Sequence, residues 1–240
     1  MPNISNNRLN QLDCVHGLDV SNYQTNIDWI KVKSQGFDFA FIKLTEGHSG
    51  GFEGDKYNVK ARAAEAIKRG VKISYYHFAR PGNIVNPVDD AVLEAQYFLN
   101  NFKKNGFPFP NFPLVLDIEH FTAEKIVWMN ENGIKAPTKT QVKTYTLAFI
   151  DELKRNNFPT IVYSYGSFIN ENFPTNHGLG NNPLWLAAYP LNPETTNPAL
   201  PVGWSNWQIW QYTERGSIDG VGANLDLNVM KRSFYNTAFY

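Results

Sequence analysis

The sequence predicts an α/β fold with a parallel sheet, on three observations. Short apolar runs alternate with longer segments of helical periodicity, which is typical of strands joined by crossover helices. The 240 residues are enough for one domain of the size of a (β/α) barrel. Acidic and polar residues recur where the apolar runs end, which is where α/β barrels carry their chemistry. With no repeat or linker, we predict a flexible leader over residues 1–13 and a single catalytic domain over 14–240.

Five β/α units are expected first. The strands are predicted at residues 15–20, 37–44, 71–78, 114–118 and 160–165, and the helices at 27–35, 55–69, 87–104 and 140–156. Asn26 is the predicted N-cap of the first helix, and Gly36 and Gly70 follow helix ends.

The pattern changes after the fifth strand. Residues 184–188, 207–212 and 224–227 are strand-like, but segments with Pro, Gly and Asn separate them instead of long helices. Segment 120–137 is too long for a simple loop, and we expect it to carry a short helix at 124–129 that overhangs the site.

The composition argues against several classes of function. The 22 basic and 22 acidic residues balance, and no basic stripe indicates a nucleic-acid or membrane partner. Cys14 is the only cysteine, so no disulfide can form within the chain, and the five histidines lack metal-ligand spacing. We therefore expect no metal and no cofactor. The sequence shows no signal peptide and no transmembrane segment.

The most informative segment is P-L-V-L-D-I-E at residues 113–119. Side chains alternate along a strand, so Asp117 and Glu119 are expected on the same side, with their Cα atoms roughly 6.5–7 Å apart. Two acids at a buried strand end repel each other, which tends to raise one pKa and leave the other group ionised, and a protonated acid beside an anion is what glycosidic cleavage needs. D-x-E alone is a weak pattern, since two solvated acids at a strand end would look the same. Further acids, Asp19, Glu46 and Asp226, also follow strands, and a barrel mouth would bring them together.

Seven sequence blocks then resemble the glycoside hydrolase family 25 lysozymes, which are muramidases. These blocks are G-L-D-V-S at 17–21, F-I-K-L-T-E-G at 41–47, Y-H-F-A-R at 76–80, L-D-I-E at 116–119, W-L-A-A-Y at 185–189, W-Q-Y-T at 210–213 and L-D-L-N at 225–228. The blocks occur in the family's order and span most of the chain, which makes the set specific although each block is weak. Leu44 replaces a residue that is usually small.

The resemblance implies a modified TIM-like barrel: five β/α units followed by strands without long helices. It also implies hydrolysis of the β-1,4 bond between N-acetylmuramic acid and N-acetylglucosamine in peptidoglycan. By position, Glu119 matches the general acid. Asp117 either attacks the anomeric carbon or orients the substrate N-acetyl group, and we favour the second, with net retention. The sequence does not settle this choice.

The remaining candidate residues each have a structural alternative. Asp19 and Asp226 are expected at the catalytic mouth, or else as caps or ion-pair partners. We assign substrate contacts to a further set, whose members could also serve packing, charge balance or a turn: Lys43, Glu46, Tyr76, Arg80, Tyr163, Trp185, Tyr189 and Gln211. We expect His77 to be a structural histidine.

Two other functions stay open at this stage, an inactive sugar-binding barrel and a chitinase-like hydrolase. The full set of acids argues against the first. The absence of D-x-x-D-x-D-x-E, which residues 112–119 do not contain, argues against the second. We expect a monomer that acts on peptidoglycan in the bacterial cell wall. A holin, another secretion route or a signal that has been trimmed would then account for its export.

Overall fold

The computed structural model describes residues 3–48, 51–52, 58–82, 86–119, 131 and 136–240. Within these ranges nine strands form one sheet. The strands are β1 (Cys14–Val20), β2 (Phe37–Glu46), β3 (Gly51–Phe52), β4 (Lys72–Phe78), β5 (Leu114–Asp117), β6 (Thr160–Tyr165), β7 (Leu184–Ala187), β8 (Ile209–Ile218) and β9 (Gly222–Lys231). The helices are α1 (Asn6–Leu12), α2 (Trp29–Ser34), α3 (Val59–Lys68), α4 (Pro87–Lys104), α5 (Lys139–Arg155), α6 (Gly166–Asn172) and α7 (Arg232–Tyr235), with a 3₁₀ turn at Leu179–Asn181.

Eight of these strands close into a barrel. From β4 to β8 each consecutive pair is parallel, and β2 pairs in parallel with both β1 and β4. The last strand, β9, is antiparallel to both β8 and β1, and so it closes the ring. Strand β3 forms a short antiparallel pair with the end of β2. The predicted α/β barrel with late strands that lack long helices is confirmed.

Alternate residues of the strands fill the barrel interior with large side chains. Phe41 stacks on Trp185 with ring centroids 4.5 Å apart, and Phe39 lies beside Phe41. A Cβ atom at Gly17 would lie 2.3 Å from the Phe39 ring, so that strand position needs glycine. This aromatic plug fills the barrel, and the polar residues above it form a mouth at the carboxyl ends of the strands.

A buried hydrogen-bonded pair fixes the loop that follows β4. The His77 ring accepts or donates at both nitrogens, with Nε2 2.8 Å from Glu94 on α4 and Nδ1 2.8 Å from the Thr45 hydroxyl. The same Glu94 oxygen accepts the backbone N–H of Arg80 at 2.9 Å. His77 and Glu94 are both buried, which supports the structural role predicted for His77.

Residues 3–13 differ from the predicted flexible leader. Ile4 is buried, Ser5 caps α1, and the Arg8 guanidinium donates to Asn197 at 2.7 Å. The Ser5 backbone and hydroxyl both donate to Glu194. The polar composition of this segment hid these contacts, because its partners lie about 190 positions later in the chain.

Helix boundaries agree closely with the predictions except near α2 and α3. Asp28, and not Asn26, caps α2, because the Asp28 backbone N–H also bonds to Gly220 and fixes the turn there. Helix α3 begins at Val59 instead of residue 55, with Asn58 as its N-cap. The helix predicted at 124–129 lies outside the described residues. Strands β8 and β9 are longer than predicted, and the short helix α6 was not predicted.

Candidate active site

A polar pocket of about 240 Å³ opens at the carboxyl ends of the strands. Its walls come from β1, β2, β4, β6, β7, β8 and β9 and from the residues around the end of β5. The lining residues are Asp19, Ser21, Tyr23, Lys43, Tyr76, Phe78, Asp117, Glu119, Tyr163, Tyr165, Trp185, Tyr189, Gln211, Glu214 and Asp226. Of the sequence-predicted residues, Glu46 and Arg80 are absent from this lining.

The chain stays extended beyond β5, which places both acids of the D-x-E segment in the pocket. Asp117 is the last residue of β5. The Ile118 N–H then bonds to the Tyr163 carbonyl at 3.1 Å, and the Ser164 hydroxyl donates to the Ile118 carbonyl at 2.5 Å. Because the backbone remains strand-like, Glu119 projects to the same side as Asp117.

Burial raises the pKa values of both carboxyl groups. Burial and the neighbouring Glu119 charge hold the pKa of Asp117 well above its ordinary value. Burial, and then the Asp19 charge, raise the pKa of Glu119 to about 7, while Lys43 and a hydrogen bond from Tyr163 act in the opposite direction. The two acids therefore retain a proton between them near neutral pH.

Asp117 has an acceptor atom without a partner. Its Oδ1 is buried, and no group among the described residues donates a hydrogen bond to it. A buried acceptor that lacks a donor is costly, and this favours the protonated form of Asp117.

A second pair of acids, Asp19 and Asp226, faces each other across the seam between β1 and β9. The two residues are direct partners in the antiparallel register and share a side-chain hydrogen bond. Asp19 Oδ2 also accepts from Gln211 at 2.9 Å and from Asn228 at 2.7 Å. Burial raises the pKa of Asp19 to about 6 and, with the Asp19 charge, that of Asp226 to about 9. At neutral pH, Asp226 is therefore protonated, and its hydroxyl donates a hydrogen bond to ionised Asp19.

Gln211 connects this pair to the tyrosines. Its Oε1 accepts from the Tyr163 hydroxyl at 2.8 Å and from the Tyr189 hydroxyl at 2.5 Å. A tyrosine has one hydroxyl proton, so Tyr163 donates either to Gln211 or to Glu119. In the second arrangement, Tyr189 still satisfies Gln211. Glu119 can thus gain or lose a donor without leaving the network unsatisfied.

The chain is similar to known proteins over most of its length. Residues 18–221 match the family described as Glycosyl hydrolases family 25. The chain belongs to glycoside hydrolase family 25. It is 31% identical to Lysozyme M1 of Streptomyces globisporus, over 89% of this chain and 67% of that one. It is 26% identical to an N,O-diacetylmuramidase of Chalaropsis sp, over 88% of this chain and 96% of that one.

A solved structure shares the fold of this family 25 enzyme. The lysozyme from Streptomyces coelicolor superposes with a TM-score of 0.71 at 28% identity, covering 93% of both chains. Across the described ranges, no helix combines the length and apolar character that a membrane span needs. Nor does this part of the chain bring three or more His, Cys, Asp or Glu side chains into an arrangement that could hold a metal ion.

Two cationic residues of the hydrolase, Lys43 and Arg80, lie at one rim of the pocket. Glu46 bridges Lys43, at 2.5 Å, and Arg80, at 2.6 Å. Both cations also lie over the Phe78 ring, with centroid distances of 5.1 Å for Lys43 and 4.7 Å for Arg80. Glu46 and Arg80 therefore hold Lys43 in place at the pocket wall. There its positive charge partly offsets the rise that burial causes in the pKa values of Asp117 and Glu119.

The aromatic residues differ in how much they expose. Trp185 is only 2% exposed, and its indole N–H donates to Asn228 at 2.7 Å, so it belongs to the pocket floor. Tyr76 and Tyr163 are also buried, whereas Tyr165 and Tyr189 are partly exposed. Their hydroxyls lie 3.2 Å apart at the pocket edge.

Sequence reasoning missed several residues of this site. Ser21, Tyr23, Phe78, Tyr165 and Glu214 line the pocket, and Asn228 bonds to Asp19 beneath it. Side chains alternate along β6, so the position of Tyr163 also indicated that Tyr165 faces the pocket. The L-D-L-N block at 225–228 contains Asn228 and was a signal for that residue. Nothing in the sequence indicated Tyr23 or Glu214, because each lies beyond the regular part of its strand or on an irregular stretch of it.

Replacing Asp19 with asparagine is expected to move the alkaline limb of the pH–rate profile to lower pH. If Glu119 acts as an acid, kcat/KM falls as rising pH removes its proton near pH 7. The Asp19 charge raises that pKa, so its loss should lower the limb by about one pH unit. Asp151→Asn on α5 is the matched control and should leave the limb in place. An unchanged or higher limb in Asp19→Asn would contradict the coupling, provided its thermal melt shows a folded protein.

Proposed function

We propose that this glycoside hydrolase is a muramidase that cleaves the β-1,4 bond between N-acetylmuramic acid and N-acetylglucosamine in peptidoglycan. The carboxyl pair Asp117 and Glu119, with its retained proton, is the observation that carries this proposal. The names of the relatives, lysozyme and N,O-diacetylmuramidase, support the choice of substrate.

Glu119 is the proposed general acid. A pKa of about 7 keeps a substantial share of Glu119 protonated at neutral pH, which suits proton donation to a leaving oxygen. After the bond breaks, the Glu119 carboxylate can take a proton from the incoming water. The Tyr163 hydroxyl can follow this change, because it donates to Glu119 when that group is ionised and to Gln211 otherwise.

Asp117 is proposed to orient the acetamido group of the sugar in the reacting position. The Asp117 carboxylate, which lines the pocket, would accept the acetamido N–H, and this donor would stabilise the Asp117 anion and leave the shared proton on Glu119. The acetamido oxygen then attacks C1 as the C1–O4 bond breaks and O4 takes the Glu119 proton. Water opens the cyclic intermediate from the face that O4 left, so the product retains its configuration.

Asp19, Asp226 and the tyrosines are proposed to shape the pocket around this reaction. Ionised Asp19 raises the pKa of Glu119 and so favours the acid form. Protonated Asp226 and the hydroxyls of Tyr165 and Tyr189, which line the pocket, would hydrogen-bond sugar hydroxyls. Lys43 limits how far the pKa of Asp117 rises, and so helps that group to ionise once substrate binds.

End-group analysis tests this function. The protein is incubated with peptidoglycan, and the released fragments are reduced and analysed by mass spectrometry. We expect new reducing N-acetylmuramic acid ends, together with little cleavage of chitin oligomers. Reducing N-acetylglucosamine ends would overturn the assignment of the bond, and faster cleavage of chitin would favour the chitinase-like alternative. No release from walls that another lysozyme digests would favour a sugar-binding barrel.

The proposed setting of this activity is the bacterial cell wall, with the protein acting as a monomer and a single catalytic domain. A holin, another secretion route or a signal that has been trimmed would each deliver it there. Size-exclusion chromatography with light scattering tests the monomer.

A further inference from the structure

A second cleft adjoins the catalytic pocket on the same rim of the barrel. It has a volume of about 340 Å³ and lies between the ends of β6 and β7, the start of α6 and residues 199–201. Tyr165 lines both spaces, so the side cleft and the catalytic pocket share a wall. The two spaces are therefore neighbours on this rim of the barrel.

The side cleft differs chemically from the catalytic pocket. Its lining is mostly methyl and methylene groups, from Leu186, Ala187, Ala188, Ala199, Leu200 and Pro201. Ser167 and Asn170 add polar groups. A sugar ring presents hydroxyls on every edge and would leave many of them unsatisfied here, whereas a short chain of small apolar residues would not.

The walls of the side cleft are held in place before any ligand binds. The Val202 N–H donates to Asn170 Oδ1 at 2.9 Å, which ties the loop to α6. On its other side, the loop is bonded to α1 through the pairs Arg8 with Asn197 and Ser5 with Glu194. Because these walls are already ordered, binding of a ligand costs little conformational entropy in the cleft.

We propose that the side cleft binds the lactyl–peptide stem of muramic acid, with the lactyl and first alanine methyl groups packed against its alanine-rich wall. This inference rests on the proposed muramidase function and deepens it. The stem is the one substituent that muramic acid carries and N-acetylglucosamine lacks, and it begins with a lactyl group and an alanine, each of which has one methyl group. The Ser167 hydroxyl and the Asn170 amide are placed to hydrogen-bond its peptide groups. Binding of the stem in the side cleft would then favour peptidoglycan over chitin as the substrate.

The test is to fill the side cleft and compare two substrates. Ala199 is exposed in its loop, so Ala199→Trp can cover the cleft without disturbing the core. Leu191→Trp, at a position in the same loop that is 95% exposed and outside the cleft, is the matched control. Each protein is assayed on soluble glycan chains that carry stems and on the same chains after an amidase has removed the peptides.

For Ala199→Trp we expect kcat/KM on stem-bearing chains to fall about tenfold, mainly through KM, and to fall by only about twofold on stem-free chains, which keep the lactyl group and lack the peptide. Leu200→Ser, which removes apolar wall without adding bulk, should show the same selective loss. An equal loss on both substrates, or no loss on either, would overturn the proposal. If the parent enzyme cleaves neither substrate, the muramidase function itself fails, which is a separate result.

Discussion

Glutamine at position 119 is expected to lower kcat on peptidoglycan by about 10²–10⁴-fold, because it cannot protonate the leaving oxygen. The loss should depend on the leaving group. An aryl glycoside, whose phenolate leaves without a proton, should lose much less activity than a natural glycan. Steady-state rates on both substrates, measured across pH, check this expectation. We assign the alkaline limb near pH 7 to Glu119, so the pH–rate profile of the parent enzyme should lack this limb when the aryl glycoside is the substrate.

Glu171→Gln is the control for this experiment. Glu171 is exposed on α6 and lies outside the pocket lining, so its variant should match the parent on both substrates. An equal loss for natural and aryl substrates in Glu119→Gln would mean that Glu119 does not act as the acid. Thermal melts of the two variants would show whether a loss reflects unfolding instead.

Asparagine at position 117 is expected to lower kcat by about 10²–10³-fold, because in the proposed mechanism the cyclic intermediate would lose the anion that stabilises its N–H group. Rates of the parent enzyme on fluorinated substrates then distinguish the two roles left open for Asp117. If the acetamido oxygen attacks, rates should fall steadily as fluorine replaces hydrogen on the acetyl methyl, since fluorine weakens the oxygen as a nucleophile. The measurement is kcat/KM on a series of N-acetyl and N-fluoroacetyl substrates.

The opposite result assigns Asp117 as the nucleophile. Rates that do not respond to fluorine, together with a sugar covalently bound to Asp117 in mass spectra, would overturn the orienting role. Asp151→Asn on α5 is the matched control for the removal of a carboxylate. Both mechanisms retain configuration, so stereochemistry alone does not distinguish them.

The part of the site that the sequence predicts comes from parallel strands. Asp19, Asp117 and Tyr163 each lie near the carboxyl end of an apolar run, and period-2 alternation then predicts which side they face. Glu119 continues this alternation. These inferences need only local sequence and one topological rule, and the structure places all four residues in the same pocket.

The rest of the site depends on contacts that no local pattern contains. The proton-sharing pair of Asp19 and Asp226 exists because an antiparallel β9 sets the two residues opposite each other. The bonds from Gln211 and Asn228 to Asp19 require the same register. Likewise, Asp28 replaces Asn26 as the cap of α2 because Gly220, far along the chain, accepts its N–H. Sequence periodicity carries no information about such pairings.

The closure of the barrel by β9 has a consequence for folding. Asp19 on the first strand meets Asp226 on the last, so the wall of the pocket is completed by residues that are synthesised nearly a whole chain apart. A nascent chain that lacks β9 has open edges on both β1 and β8 and lacks two partners of Asp19, which are Asp226 and Asn228. Such long-range pairing forms late and slowly. The hydrolase therefore gains a working pocket only after its last strand has left the ribosome, and a chain truncated before residue 222 would be inactive even though Asp117 and Glu119 are present.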